Sequence, residues 1–255
     1  MYREWEPPPT LRDWVACLWV HRGHPEQAQV VRVLPDACLD LMTIDGRLEV
    51  AGPDSTAQLV ARPPGGLVVG VRFRPGAAGP ALGVDVSALL DQRVDLADLW
   101  GPEARRLAER AVGAPTAKAG AGVLEAAVTR RVAGLDRPDP AIQAIVLACR
   151  EAGGRWASAG RDPEGAWGVL DLAAAVGLSE RQLRRRSLAA LGYGPRTLQR
   201  IIRFQRFIGL AEASPRPGLA ALAASAGYAD QAHLSRECQR LARRSPAVLL
   251  AERAA

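Results

Sequence analysis

One short word is spelled twice in this chain, fifty residues apart: Leu172-Ala173-Ala174-Ala175-Val176-Gly177 returns as Leu222-Ala223-Ala224-Ser225-Ala226-Gly227. Each copy runs into a helix-compatible segment with a Leu-x-Arg step, Leu183 to Arg185 in the first and Leu234 to Arg236 in the second. Two helices that cross steeply need small side chains where their backbones approach, and the Ala-rich word supplies them. Gly177 and Gly227 stand where the turn between such helices calls for a positive φ. Ser179 and Asp230 follow at positions where a side-chain oxygen can accept hydrogen bonds from the unpaired amides that start the next helix. A small-residue helix, a Gly, a cap and an Arg-bearing helix make the helix-turn-helix pattern, and two copies predict two units in one domain. A single Ala-rich pair is common in any chain rich in Ala and Arg, so the repetition carries the prediction.

The charge is placed unevenly. Pro138 to Ala255 holds 17 Arg against 10 acidic residues, a net of +7, whereas residues 1 to 137 carry a net of −1. The basic excess therefore lies in the half with the repeat, as expected of a domain that meets a polyanion. Lys118 is the only Lys, so part of the Arg richness is compositional. At 255 residues and 48% hydrophobic, the chain has room for two domains with a core in each. No apolar run has the length of a membrane span and no basic-then-apolar leader opens the chain, which predicts a cytoplasmic protein. Cys17, Cys38, Cys149 and Cys238 are widely spaced and form no Cys-x-x-Cys pair. They read as buried reduced thiols rather than as a zinc ribbon or a disulfide framework.

The N-terminal half reads as strands. Tyr2, Trp5 and Pro7-Pro8-Pro9 predict an extended arm over residues 1 to 13. Residues 14 to 22 alternate with apolar groups on both faces, so a strand covered on each side is expected. Residues 29 to 34 and 38 to 44 are further strands, and Asp45-Gly46 is a hairpin turn into residues 47 to 51. A weaker strand at 59 to 62 precedes the turn Pro63-Pro64-Gly65-Gly66. In residues 67 to 74, Leu67, Val69, Val71 and Phe73 share one face and Val68, Gly70, Arg72 and Arg74 the other. Short strands with close turn signals predict a small antiparallel barrel or sandwich.

From Pro80 the period becomes helical. Ala81, Leu82, Leu89 and Leu90 fit a short helix, residues 102 to 112 another, and residues 117 to 135 a longer one, all expected to cap the strands or form a dimer face. Asp136-Arg137-Pro138-Asp139-Pro140 is the expected domain boundary, dividing residues 1 to 137 from 138 to 255. Ile142, Ile145, Val146 and Cys149 line one side of the next helix, and residues 153 to 168 read as a loop. After the first unit, Pro195 opens a long helix to about Ala213, with apolar residues too widely spread for burial on one side only. Residues 214 to 218 end it. The overall expectation is an α+β chain: a β-rich domain with flanking helices, then an all-α domain with two helix-turn-helix units joined by a long helix.

The segment Gly227-Tyr228-Ala229-Asp230-Gln231-Ala232-His233-Leu234-Ser235-Arg236, with Ser245-Pro246, closely resembles the second-unit signature of AraC/XylS-type transcription regulators. Leu172 to Arg186 is similar to the first unit, so the likeness covers about residues 138 to 252. Two positions depart from the family pattern: Ser187 and Cys238 stand where a Phe is usual, which implies a smaller core, and Arg243-Arg244 replaces the Gly that usually precedes Ser-Pro. Leu34-Pro35-Asp36, Ala51-Gly52-Pro53 and residues 71 to 77 resemble, more loosely, the small-barrel, cupin-like sensor domain of one branch of these regulators. The resemblance implies sequence-specific binding of double-stranded DNA, with a small-molecule effector, a second copy of the chain and RNA polymerase as further partners. It implies a non-enzymatic regulator with no cofactor, and leaves open whether it activates or represses.

On that resemblance the second helix of each unit enters the major groove. Arg181, Arg184 and Arg185 are the candidates in the first unit, and Gln231, His233 and Arg236 in the second. Arg can bond guanine O6 and N7 together, and Gln can do the same for adenine N6 and N7. Leu183 and Leu234 are expected to face the core. The alternative is a metal- or small-molecule-binding barrel enzyme with an accessory nucleic-acid-binding domain. Its support is thin: His21 and His24 are the only His in that half, at a spacing that does not share one strand face. Methyl transfer to a reactive Cys, which occurs beside this DNA-binding module elsewhere, finds no clustered Cys here. Trp19, Arg32, Asp36, Asp40, Arg72 and Arg74 are polar or aromatic groups on or near the strands, as readily surface residues or core partners as ligand contacts.

Overall fold

The computed structural model describes residues 1–151, 168–213 and 218–254. Its N-terminal half is antiparallel β-structure, and the alternation in the sequence explains why. β1 (Tyr2–Trp5), β2 (Val15–Arg22), β4 (Leu39–Ile44), β5 (Arg47–Ala51), β7 (Leu67–Phe73) and β8 (Arg93–Asp95) form a six-stranded sheet in the order β1-β2-β7-β4-β5-β8. β3 (Gln29–Val33) and β6 (Gln58–Arg62) form a separate two-stranded ribbon. Ile44 pairs with Arg47, and Asp45 (φ 47°) and Gly46 (φ 78°) between them take the two positive φ values of a type I′ hairpin.

Alternation sends Leu41, Leu48, Val50, Val71 and Phe73 to one face of the sheet, where they meet α1 (Ala78–Leu82), α3 (Glu103–Val112) and α4 (Ala117–Val132) in the first core. The helices therefore cap the sheet, as expected. Cys17, Trp19, Met42, Ala51 and Val68 form a small cluster on the opposite face. The indole of Trp19 lies across Gly70 so closely that a Cβ there would sit 2.5 Å from the ring.

The strand set is as the sequence predicts, with corrections at places where pairing or packing decides. Residues 1 to 13 are not a free arm. Tyr2–Trp5 is an edge strand on β2, with Tyr2 opposite His21, and Pro9–Leu11 is a 3₁₀ turn that buries Leu11. The single helix expected near residues 81 to 90 breaks at Gly83 (φ 75°) into α1 and a 3₁₀ turn at Val86–Leu89. β8 and α2 (Leu96–Trp100) are too short to show a period in the sequence; Asp95 caps α2 by accepting a hydrogen bond from the Ala97 amide. The helix expected over residues 117 to 135 ends at Val132. Leu67 starts its strand 42% exposed, outside the cover that the helices give Val69, Val71 and Phe73.

The C-terminal half is helical: α5 (Pro140–Glu151), α6 (Val169–Ala175), α7 (Glu180–Leu191), α8 (Pro195–Ala213), α9 (Leu219–Ala226), α10 (Gln231–Ala242) and α11 (Pro246–Ala254). The loop expected at 153 to 168 lies almost wholly outside the described residues, as do residues 214 to 217. Ile142, Ile145, Val146 and Cys149 bury one side of α5. α8 runs through the second core, burying Leu198, Ile201, Phe204, Phe207 and Ile208, so its widely spread apolar residues are explained by neighbours on several sides. That core also takes in Leu34, Ala37 and Ala57 from the N-terminal half. No helix of the described residues is long and apolar enough to cross a membrane.

Candidate nucleic-acid interface

The first helix-turn-helix unit is α6, a turn and α7. Leu172 and Ala173 are buried, and Gly177 turns the chain with φ +67°. Ser179 Oγ accepts from the Gln182 amide at 3.3 Å, while Gln182 Oε1 accepts from the Ser179 amide at 2.9 Å. This reciprocal pair is a capping box, which satisfies two of the amides that open α7. Leu183, Ser187 and Leu191 recur at helical spacing and are buried, so the opposite side of α7 exposes Arg181, Arg184, Arg185 and Arg186. Arg186 reaches Asp139 at 3.4 Å. The other three make no ion pair with any of the described residues.

The second unit repeats this layout with other chemistry. Leu222, Ala223 and Ala226 are buried on α9, and Gly227 turns the chain with φ +86°. Asp230 Oδ1 caps α10 by accepting from the His233 amide at 2.6 Å. Leu234, Cys238 and Leu241 are buried, while Gln231 and Arg236 are exposed. His233 is half-buried, its ring edge-on to Tyr228 at 5.2 Å. Tyr228, the aromatic of the signature, is itself buried beneath the Arg203 guanidinium, 5.6 Å from the ring centroid. Thus Arg181, Arg184 and Arg185 share one open face, Gln231 and Arg236 lie open on the other helix, and His233 leans into its own unit.

Ser187 and Cys238 are both fully buried, at matching positions of α7 and α10. The two small side chains therefore do face the core where Phe is usual in the family. Burial pushes the Cys238 thiol up to about 12, so it stays protonated and inert. Arg243 takes up the left-handed conformation (φ 56°) at the C-terminus of α10, which explains why a Gly is usual nearby.

Nothing in the sequence points to the ion pair that ties α10 to α8. Arg200 donates to both carboxylate oxygens of Glu237, at 2.9 and 2.8 Å. Burial alone would raise the Glu237 pKa, but the Arg200 fork outweighs it and holds the carboxyl below its ordinary value. A pair 37 residues apart has no local signature.

α7 and α10 both present their N-terminal halves to solvent and dock their C-terminal ends on the N-terminal half of the chain. Leu191 and Leu241 join the second core, which also holds Leu34 and Ala57. Glu180, Arg181, Gln182, Arg184 and Arg185 stay exposed at the other end of α7, as do Gln231 and Arg236 on α10.

In the N-terminal half the structure joins four of the residues singled out on the strands. Asp40 accepts from Trp19 Nε1 at 2.8 Å and from Arg72 Nε and Nη2 at 3.1 and 3.0 Å, and Asp36 lies 3.5 Å from Arg72. Burial pushes the Asp36 carboxyl up despite the neighbouring guanidinium. Arg32 and Arg74 lie apart from this network: Arg32 pairs with Glu252, and Arg74 donates to the Arg12 carbonyl. A cavity of about 240 Å³ opens between β4, β6 and β7, lined among others by Thr43, Ile44, Arg62, Leu67 and Val68. Nε and Nη1 of Arg62 are buried there without a hydrogen-bond partner among the described residues, and burial lowers its pKa. Among the described residues, no group of three or more His, Cys, Asp or Glu is placed to hold a metal ion.

Residues 172–252 match the family model of a helix-turn-helix domain, and residues 3–95 match a domain of unknown function, DUF6597. The C-terminal match, with the two capped units described above, makes this an AraC-type helix-turn-helix domain, the class found in DNA-binding transcription regulators. No curated protein matches the chain. Among solved structures, ToxT from Vibrio cholerae O395 is 12% identical with a TM-score of 0.46, the match covering 91% of this chain and 95% of that one. ToxT from Vibrio cholerae bound to an unsaturated fatty acid is also 12% identical, with a TM-score of 0.44 and coverage of 91% and 93%.

Proposed function

We propose that the chain regulates transcription by reading two successive major grooves, with α7 in one and α10 in the other. The observation that carries this reading is the pair of capped helices with open, Arg-bearing faces, joined through α8. At 1.5 Å per residue the 19 residues of α8 span about 28 Å, close to the ~34 Å of one DNA turn. Arg181, Arg184 and Arg185 are assigned to one half-site, and Gln231, His233 and Arg236 to the other. Residues 138 to 255 are the DNA-binding part, and residues 1 to 137 the sensing and dimerising part. The cavity beside Arg62 is the candidate seat of an effector, because the buried guanidinium nitrogens there lack partners among the described residues. Contact with RNA polymerase belongs to the same reading.

Selection of bound sequences from random duplex DNA by the full chain tests the proposal, followed by a salt titration of the winner against a scrambled duplex. A two-part motif about one turn apart, bound selectively as salt rises, is the expected result. Enrichment of no motif, with equal loss of both duplexes in salt, reduces the binding to charge attraction and removes the reading.

A further inference from the structure

A single short segment touches the C-terminal ends of both reading helices. Gly52 to Ala57 connects β5 to β6. At one end, Pro53 packs on Gly192, the C-cap of α7, where a Cβ would come within 3.0 Å of Pro53 Cγ and 3.3 Å of the Val86 carbonyl oxygen. At the other end, the Ala57 amide donates to the Leu241 carbonyl in the last turn of α10, at 2.6 Å. At most about 14 Å of extended chain separates these contacts. Arg32 on the ribbon adds a second hold on the same end of α10 by donating to the Ala242 carbonyl at 3.2 Å.

The segment is itself held stiffly. Asp54 is buried and receives a fork from Arg93 at 3.1 and 3.0 Å. The amide and hydroxyl of Ser55 both donate to the Asp91 carboxylate at 2.7 Å, and the Asp91 amide donates back to the Pro53 carbonyl at 3.1 Å. A free loop could follow either helix; a strap pinned at its centre transmits the position of one to the other.

We propose that this strap sets the distance and angle between the two reading helices, so that residues remote from the DNA decide which half-site spacing the protein accepts. Pro53 and Ala57 are positioning residues in this scheme, and Asp54 and Ser55 anchor them. The proposal rests on the two-helix reading above. α8 links the two units along the chain, and the strap supplies a second, non-covalent brace at their far ends.

The test uses the full chain and the two-part site that the wild type selects, in duplexes whose half-sites are moved one or two base pairs closer or farther. Each base pair turns a half-site by about 35° around the duplex. Wild type is expected to lose roughly tenfold or more in affinity at altered spacings. A chain with two Gly inserted between Ser55 and Thr56 should bind all spacings within about threefold of one another, with an unchanged salt slope. Asp54→Asn with Ser55→Ala should flatten the profile less, and it carries the test if the insertion does not fold. Spacing profiles identical to wild type in a folded variant overturn the proposal and leave α8 as the sole spacer. A wild type that selects no two-part site overturns the DNA reading first, before any variant is made.

Discussion

The two helix-turn-helix units share a backbone plan and differ in what holds them. In the first, α7 starts with a capping box, ends on Gly192 and buries an apolar stripe with Ser187 in it. In the second, α10 starts with an Asp cap, ends on Arg243 in a left-handed conformation and is tied to α8 through Glu237 and Arg200. The open faces differ as well: Arg181, Arg184 and Arg185 on α7 against Gln231 and Arg236 on α10. One fold can thus be repeated while the balance of apolar packing, ion pairing and exposed side-chain chemistry shifts between the copies.

The largest effect expected is on the second unit alone. Arg200→Ala leaves the Glu237 carboxylate buried without its fork and should cost about 3 kcal/mol in urea denaturation. The pair replaced together, Arg200→Met with Glu237→Leu, should regain most of it. An unchanged midpoint for Arg200→Ala would erase the contrast with the first unit. The pH dependence follows from the same pair. Glu237 has a folded pKa below its ordinary value of 4.5, so the contribution is full above that value and is lost as pH falls through the folded pKa. Acid titration of stability should therefore be steeper for wild type than for the double variant.

Readout should separate the units next. Arg185→Ala and Arg236→Ala are each expected to cost about 1 to 3 kcal/mol at the selected site. The loss should be larger for Arg236, which has fewer charged neighbours on its helix to share the contact. Equal affinity for both variants and wild type would remove these residues from the interface.

Two smaller effects probe the copies at their irregular positions. Arg243→Gly should stabilise the chain by about 1 kcal/mol, because Gly takes the left-handed conformation without a Cβ penalty. Ser187→Ala removes a buried hydroxyl that has no partner among the described residues and should stabilise by about 1 kcal/mol or less. Thermal or urea melts of each variant check both, and a destabilised Arg243→Gly would mean that its side chain contributes more than its backbone costs.

Much of the fold is legible in the sequence. The Asp45-Gly46 turn, the strand alternation at residues 67 to 73, the caps Ser179 and Asp230, and the burial of Leu183 and Leu234 all depend on neighbours a few residues away. The edge pairing of Tyr2–Trp5 and the short β8 are not, since they are settled by partners distant in the chain, whereas the break at Gly83 is a local left-handed cap, its amide donating to the Gly79 carbonyl. Of the candidate interface, the sequence supplies the Arg and Gln of the open faces but no way to see that His233 leans on Tyr228.

The sequence by itself determined two copies of a capped helix pair, a β-rich half and a basic half, because periodicity, turn chemistry and charge are local properties that a linear reading can sum. Only the tertiary structure decided that Arg200 meets Glu237, that Trp19, Asp40, Arg72 and Asp36 form one network, and that residues 53 to 57 touch the C-terminal ends of both α7 and α10. Each of these joins residues far apart in the chain, and such contacts form only after packing has brought their elements together.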